Sequence, residues 1–212
     1  MKLRLCVYST LVLALFSGCM LKPVTVSTRH FALAPISASD LKPDAPAGTE
    51  HLSVGIGFVK MPSYLLRNSM VVRNGTNEIE YIEDALWSER LDQSFQRALA
   101  ANLGELLPFD SIYLNDWGHG RVMVAVFIEV QQFDVDTKGH GTLIAQWRIT
   151  APESDVVLNS GRTRLEQTDA SPRGRPDVIA ATLSGLVANF SRDLARSILE
   201  SEKSRPTASL GH

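Results

Sequence analysis

The chain has 212 residues and a formal charge of −2, with 21 Lys and Arg against 23 Asp and Glu. That balance excludes the basic footprint that nucleic-acid binding requires. Hydrophobic residues at 44% and charged residues at 21% leave material for one domain with a sizeable core. In chain order, Lys2 and Arg4 come first, ahead of an apolar stretch from Leu5 to Phe16 that Ser9 and Thr10 interrupt. A helix needs about 20 apolar residues to cross a bilayer core, so this run is too short for a stable span. It has the length of a signal-peptide h-region. Small Ser17 and Gly18 then precede Cys19.

Phe16-Ser17-Gly18-Cys19 resembles a bacterial lipobox, with Phe16 standing where Leu is usual. The resemblance implies that Cys19 receives diacylglycerol and becomes the first mature residue. An ordinary secretory signal or an uncleaved anchor are the alternatives. Residues 1–18 are then a removed signal peptide, 19–27 a lipidated tether, 28–200 the domain and 201–212 an unstructured tail. Loss of residues 1–18 removes Lys2, Arg4 and no acidic residue, which takes the formal charge to −4. Cys6 departs with the signal, so Cys19 is left as the sole mature cysteine, unable to form an internal disulfide or a cysteine metal site. Acyl chains such as palmitate contribute about 0.8 kcal/mol per buried methylene, and two or three chains make anchoring effectively permanent. Under the enteric sorting rule, Met20 in place of Asp after the cysteine implies the outer membrane, on its periplasmic face.

Arg29 to Ala34 alternates like a strand. The Pro-rich stretch 35–50 reads as a surface loop. Leu52 to Val59 predicts a second strand, with Gly55 and Gly57 on one face. Met70–Arg73 and Glu78–Ile82 flank Asn74-Gly75, a strong hairpin signal. From Glu83 to Leu107 the period becomes 3.6, with Trp87, Leu91, Phe95, Ala98, Leu99, Asn102, Leu103 and Leu106 on one stripe and Pro108 as the stop. Val122 to Val130 and His140 to Thr150 alternate as strands, and Val156–Leu158 and Arg162–Glu166 flank an Asn159-Ser160-Gly161 turn. A final helix runs from about Asp177 to Glu200 on the stripe Ile179, Leu183, Leu186, Phe190, Leu194 and Ile198. Two long amphipathic helices over a mixed or antiparallel sheet predict a single α/β domain of the α+β kind.

No catalytic or cofactor constellation survives inspection. The two Gly-His-Gly triplets at 118–120 and 139–141 flank the long central strand, which separates their histidines by about 40 Å and prevents a shared ion. Asp134-Val-Asp136-Thr-Lys138-Gly139 opens like a calcium loop, but Lys138 and Ala145 occupy ligand positions, so its acids read as a strand end and turn. Neither a nucleophile elbow nor a phosphate loop occurs, and Gly55-Ile-Gly57 lacks the third glycine of a dinucleotide fingerprint. Asn74-Gly-Thr76 matches a glycosylation sequon by chance. The helix aromatics Trp87, Phe95 and Phe190 read as core.

The segment from Ile56 to Arg67, IGFVKMPSYLLR, is the most distinctive. Together with the lipobox, Trp87-Ser-Glu-Arg-Leu91 and Leu143-x-Ala145-x-Trp147, it resembles the PqiC/YmbA family of ABC-type transport auxiliary lipoproteins over most of residues 19–200. The chain departs from that family at Phe58, where Pro is common, and at Leu66-Arg67-Asn68, where an acidic residue and Arg-Pro are common. The resemblance implies a non-enzymatic, self-assembling subunit on the outer membrane. Its partner would be an envelope-bridging MCE-domain protein that moves lipid between membranes. Tyr64, Leu65 and Arg67 are the candidate partner contacts, although a tight link that packs Tyr64 and Leu65 into the core fits the same residues. A lipoprotein with its own apolar ligand pocket is the alternative function.

Overall fold

The computed structural model describes residues 27–36, 52–107, 109–154, 156–168 and 175–203. Within them the order is β1 (Arg29–Phe31), β2 (Leu52–Ile56), a 3-10 turn (Ser63–Leu66), β3 (Ser69–Asn74), β4 (Glu78–Trp87) and α1 (Leu91–Leu106). There follow β5 (Phe109–Leu114), β6 (Val124–Asp136), β7 (His140–Ala151), β8 (Val156–Thr168) and α2 (Pro176–Lys203).

β6 organises the sheet. Along one side it pairs antiparallel with β7, and β7 pairs antiparallel with β8. Its other side is shared. β2 runs parallel to Val124–Val126, β3 runs parallel to Val135 and Asp136, and Lys60 bridges Glu129 between them. β5 extends the branch of β2, while β4 and then β1 extend the branch of β3. Residues 57–68 therefore run beside β6, in the gap between the two branches. This is one open, mixed eight-stranded sheet with two helices, an α+β domain as expected.

Both helices cover the same face, because the apolar stripes read from the sequence are the residues they bury. Leu91, Phe95, Leu99 and Leu103 of α1 and Ile179, Leu183, Leu186, Phe190, Leu194 and Ile198 of α2 are buried against Val124, Val126, Ile128 and Val130 of β6 in one core. Phe95 stands edge-on to Phe133 at 5.3 Å and packs on Phe190 at 6.0 Å. Each such buried side chain contributes about 1.5–3 kcal/mol of transfer free energy. The Asn74-Gly75 hairpin forms as expected, with Gly75 at φ 70°, a conformation that costs a residue lacking Cβ little.

Several boundaries differ from expectation. The helix expected from Glu83 begins at Leu91, and residues 83–87 belong to β4, where Ala85 and Trp87 are buried two apart and pair with Arg29 and Phe31 of β1. Trp87 is thus a core residue on a strand; its four-residue spacing from Leu91 imitated a helical period. The Asn159-Ser160-Gly161 turn does not form, and β8 runs straight through it. Gly161 instead lies under Trp147, where a Cβ would meet the indole at 2.7 Å, so packing overrides the local turn chemistry. β1 and β2 are shorter than read, stopping at Phe31 and Ile56, whereas β6 reaches Asp136. α2 continues to Lys203. β5, which follows the predicted stop at Pro108, was not anticipated; it joins the sheet through parallel pairing with β2, a long-range partner. The loop expected at 35–50 lies outside the described residues beyond Ile36, as do the N-terminal segment and residues 204–212.

Candidate functional site

The face of the sheet opposite the helices carries the unusual chemistry. Val54 and Ile56 of β2 are fully buried in the helix-side core, so alternation turns Gly55 and Gly57 to the other face. There they lie beneath aromatic rings: a Cβ on Gly55 would sit 2.7 Å from the Trp117 indole, and one on Gly57 would sit 2.9 Å from Phe127. Trp117 and Phe127 are 6.4 Å apart, and the Arg148 guanidinium lies 4.7 Å above the Phe127 ring. Next in the chain to Gly57, Phe58 is 69% exposed. Gln96 of α1 steadies its support by donating from Nε2 to the carbonyls of Ile56 and Gly57 at 3.0 and 2.7 Å. A cleft of about 190 Å³ opens here, bordered by Phe58, Lys60, Phe127, Glu129, Gln146 and Arg148.

The 3-10 turn places its predicted contact residues on different surfaces. Leu65 is 2% exposed and points into the core. The half-buried Tyr64 hydroxyl donates to Asp134 Oδ2 at 2.8 Å. Asp134, 1% exposed, also receives Arg73 Nη2 at 2.6 Å, Arg73 Nε at 3.1 Å and Gln132 Nε2 at 2.9 Å. Burial, and then the Asp134 charge beside it, push the Tyr64 phenol well above its ordinary range. This cluster fastens the turn to β3 and β6. Arg67 is exposed and stacks 4.7 Å over Tyr81, whose hydroxyl donates to the Tyr64 carbonyl at 3.4 Å.

On the helix side, residues 33–36 cross the helix layer as a strap. The N–H groups of Leu33, Ala34 and Ile36 donate to Ser94 Oγ, Ser184 Oγ and Asn102 Oδ1 at 3.3, 3.0 and 2.6 Å. Fully buried Asn102 donates in turn to Ser191 Oγ at 3.0 Å, which ties α1 to α2. A segment leading from Cys19 is thus held by both helices rather than by the three-residue β1 alone. Cys19 itself lies outside the described residues.

The two histidine triplets lie at opposite ends of β6, with His119 beside Glu153 and His140 beside Asp136. Asp136 belongs to the turn, where it accepts the N–H groups of Lys138 and His140, whereas Asp134 lies inside the strand as the buried partner of Arg73. At the His119 end a cavity of about 620 Å³ is lined by residues that include Val122, Met123, Ala151, Pro152, Val156 and Leu158.

The model of the family described as ABC-type transport auxiliary lipoprotein component matches residues 32–195, from the strap to α2. The chain belongs to this family. The match covers β2 to β8, α1 and most of α2. Among solved structures, protein XCC0632 from Xanthomonas campestris superposes with TM-score 0.70 at 13% identity, over 83% of this chain and 97% of that one. An uncharacterized protein superposes with TM-score 0.65 at 18% identity, over 81% and 99% of the respective chains. At such identities the likeness is one of fold. No curated protein matches the sequence.

Sequence reasoning reached Tyr64, Leu65 and Arg67 but missed Trp117, Phe127 and Arg148. One signal was available: two glycines spaced by two on a strand leave room on one face for bulky side chains from elsewhere.

Proposed function

We infer that this member of the transport auxiliary family is a non-catalytic lipoprotein anchored through Cys19 to the periplasmic face of the outer membrane. It serves an ABC/MCE-type system that moves lipid between membranes and maintains membrane integrity, and it self-assembles there. The observation that carries this reading is the family match over residues 32–195 behind a lipobox-like segment. Nine residues, 20–28, lie between Cys19 and Arg29, which makes ten Cα-to-Cα steps. A trans chain spans at most about 3.3–3.6 Å per residue, so the body stays within about 35 Å of the leaflet. An MCE-domain protein that bridges the envelope is the partner this placement suits, and Tyr64 with Arg67 supplies a candidate contact.

Labelled palmitate and membrane fractionation test the anchor: the wild-type chain takes up label and sediments with outer membrane, and Cys19→Ser does neither. A wild-type protein with a free thiol and no label refutes it. Co-purification with the MCE-domain protein tests the role, with weaker capture expected for the folded Tyr64→Ala/Arg67→Ala pair. The cavity at the His119 end supports a second reading, a lipoprotein that holds an apolar ligand itself, since about 620 Å³ falls within the usual range of ligand sites. Stoichiometric lipid in native mass spectra of the purified protein would favour that reading.

A further inference from the structure

We propose that the helix-free face around Phe58, Phe127 and Arg148 is a docking site for an acidic segment of a partner protein, one that brings an apolar side chain flanked by carboxylates. The register aligns the parts. Lys60 lies beside Glu129, Glu129 pairs with Gln146, and Gln146 pairs with Arg162, so one row of side chains crosses from the 57–68 segment to β8. The adjacent row is Phe127, Arg148 and Ser160. All of these share a face with the rings over Gly55 and Gly57.

Charge complementarity identifies the occupant. Lys60, Arg148 and Arg162 surround a single carboxylate, Glu129, and Arg67 extends the same sign along the surface. None of these four cations has a carboxylate within ion-pair distance among the described residues: Arg148 stacks on Phe127, Arg67 on Tyr81, and Arg162 Nε donates to Gln131. Two further cations of this face are neutralised, Arg73 by Asp134 and Arg164 by Glu166. The chain as a whole carries −2, so this local positive excess is a feature of the patch and not of the whole chain. A second copy docked patch to patch across a two-fold axis would set these cations against themselves, and is a poorer fit than an acidic partner. Aromatic and Arg side chains are the residues on which binding energy concentrates, and exposed Phe58 beside the Phe127–Arg148 stack is such a group. The cleft, at about 190 Å³, accepts one or two side chains and is too small for a lipid tail.

The proposal rests on the accessory-subunit reading for the partner's setting, and its test separates the two. The full chain in detergent is titrated with a fluorescent octapeptide of alternating Glu and Leu, with its Lys–Leu counterpart and with monomeric dihexanoylphosphatidylglycerol. The acidic peptide is expected to bind, to weaken with added salt, and to lose at least tenfold in affinity with Lys60→Glu/Arg148→Glu and with Phe58→Ser. Thermal melts of both variants confirm that the fold persists. Unchanged acidic-peptide affinity in the folded variants overturns the proposal. Preference for the anionic lipid over the acidic peptide overturns it in favour of a membrane surface, and loss of self-association without loss of peptide binding overturns it in favour of a second copy. Failure of the wild type to capture the MCE-domain protein, with peptide binding intact, counts against the accessory role and leaves the site standing.

Discussion

The two faces of β6 differ in what they are built to do. On the helix side Val124, Val126, Ile128 and Val130 are buried beneath α1 and α2. On the other side the intervening Ala125, Phe127 and Glu129 run from buried to exposed, and their neighbours are Trp117, Arg148 and Lys60. A strand whose side chains alternate can devote one face to stability and the other to contact without either constraining the next residue. The helix face should therefore be sensitive to lost volume, and the free face to lost charge and shape.

The largest test of that division is Phe95→Ala. Phe95 is fully buried and meets both Phe133 and Phe190, so truncation should cost about 3–5 kcal/mol, read as a lower urea midpoint with unchanged slope. A loss below 1 kcal/mol would erase the distinction between the faces. Next is Asp134→Ala, which removes the buried carboxylate that Arg73 pairs with on the free face. Fully buried pairs cost about 3–5 kcal/mol to break; Arg73 keeps some contact with water, so about 2–3 kcal/mol is expected here. Arg73→Met/Asp134→Leu should recover most of it, because the desolvation of both charges is then removed.

Gly55→Ala follows at about 2 kcal/mol, the typical cost of overpacking, since the new methyl meets the Trp117 ring at 2.7 Å and the indole must shift off the sheet to admit it. Altered Trp fluorescence should accompany it. An alanine here that changes neither stability nor fluorescence would show that Trp117 is not seated on the sheet.

How much of this was legible in sequence follows from the range of each interaction. The stripes of α1 and α2 repeat every turn and declare themselves locally. The hairpin at Asn74-Gly75 does the same. Trp87 misled because its spacing from Leu91 satisfies a helix while its pairing with Phe31 satisfies a strand, and only the fold chooses. The turn chemistry of Asn159-Ser160-Gly161 lost to Trp147, a residue on the neighbouring strand. The site was half visible: Gly55 and Gly57 shared a face, but the rings that fill it come from positions 117 and 127, across a parallel pairing that no local period encodes. Asp134 read as part of a strand end because its partner, Arg73, lies in another strand.

Tyr64→Phe is the mildest change and separates anchoring of the turn from charge burial beneath it. The ring and its packing remain, and only the hydroxyl that donates to Asp134 is lost, so about 1 kcal/mol is expected at neutral pH for a half-buried bond to a charged acceptor. The pH dependence carries more information than the magnitude. In the folded protein the phenol stays protonated beyond the range in which an unfolded tyrosine ionises, near pH 10. Above that pH the unfolded state binds fewer protons than the folded state, so the stability from this group is complete below about pH 10 and falls as pH rises through the folded phenol's range. The phenylalanine variant lacks that loss. Its deficit against the wild type should narrow between pH 8 and pH 11 in urea melts, whereas the deficit of Phe95→Ala should stay constant. A Tyr64→Phe deficit that ignores pH would mean the hydroxyl is solvated and that the turn is held by Leu65 alone.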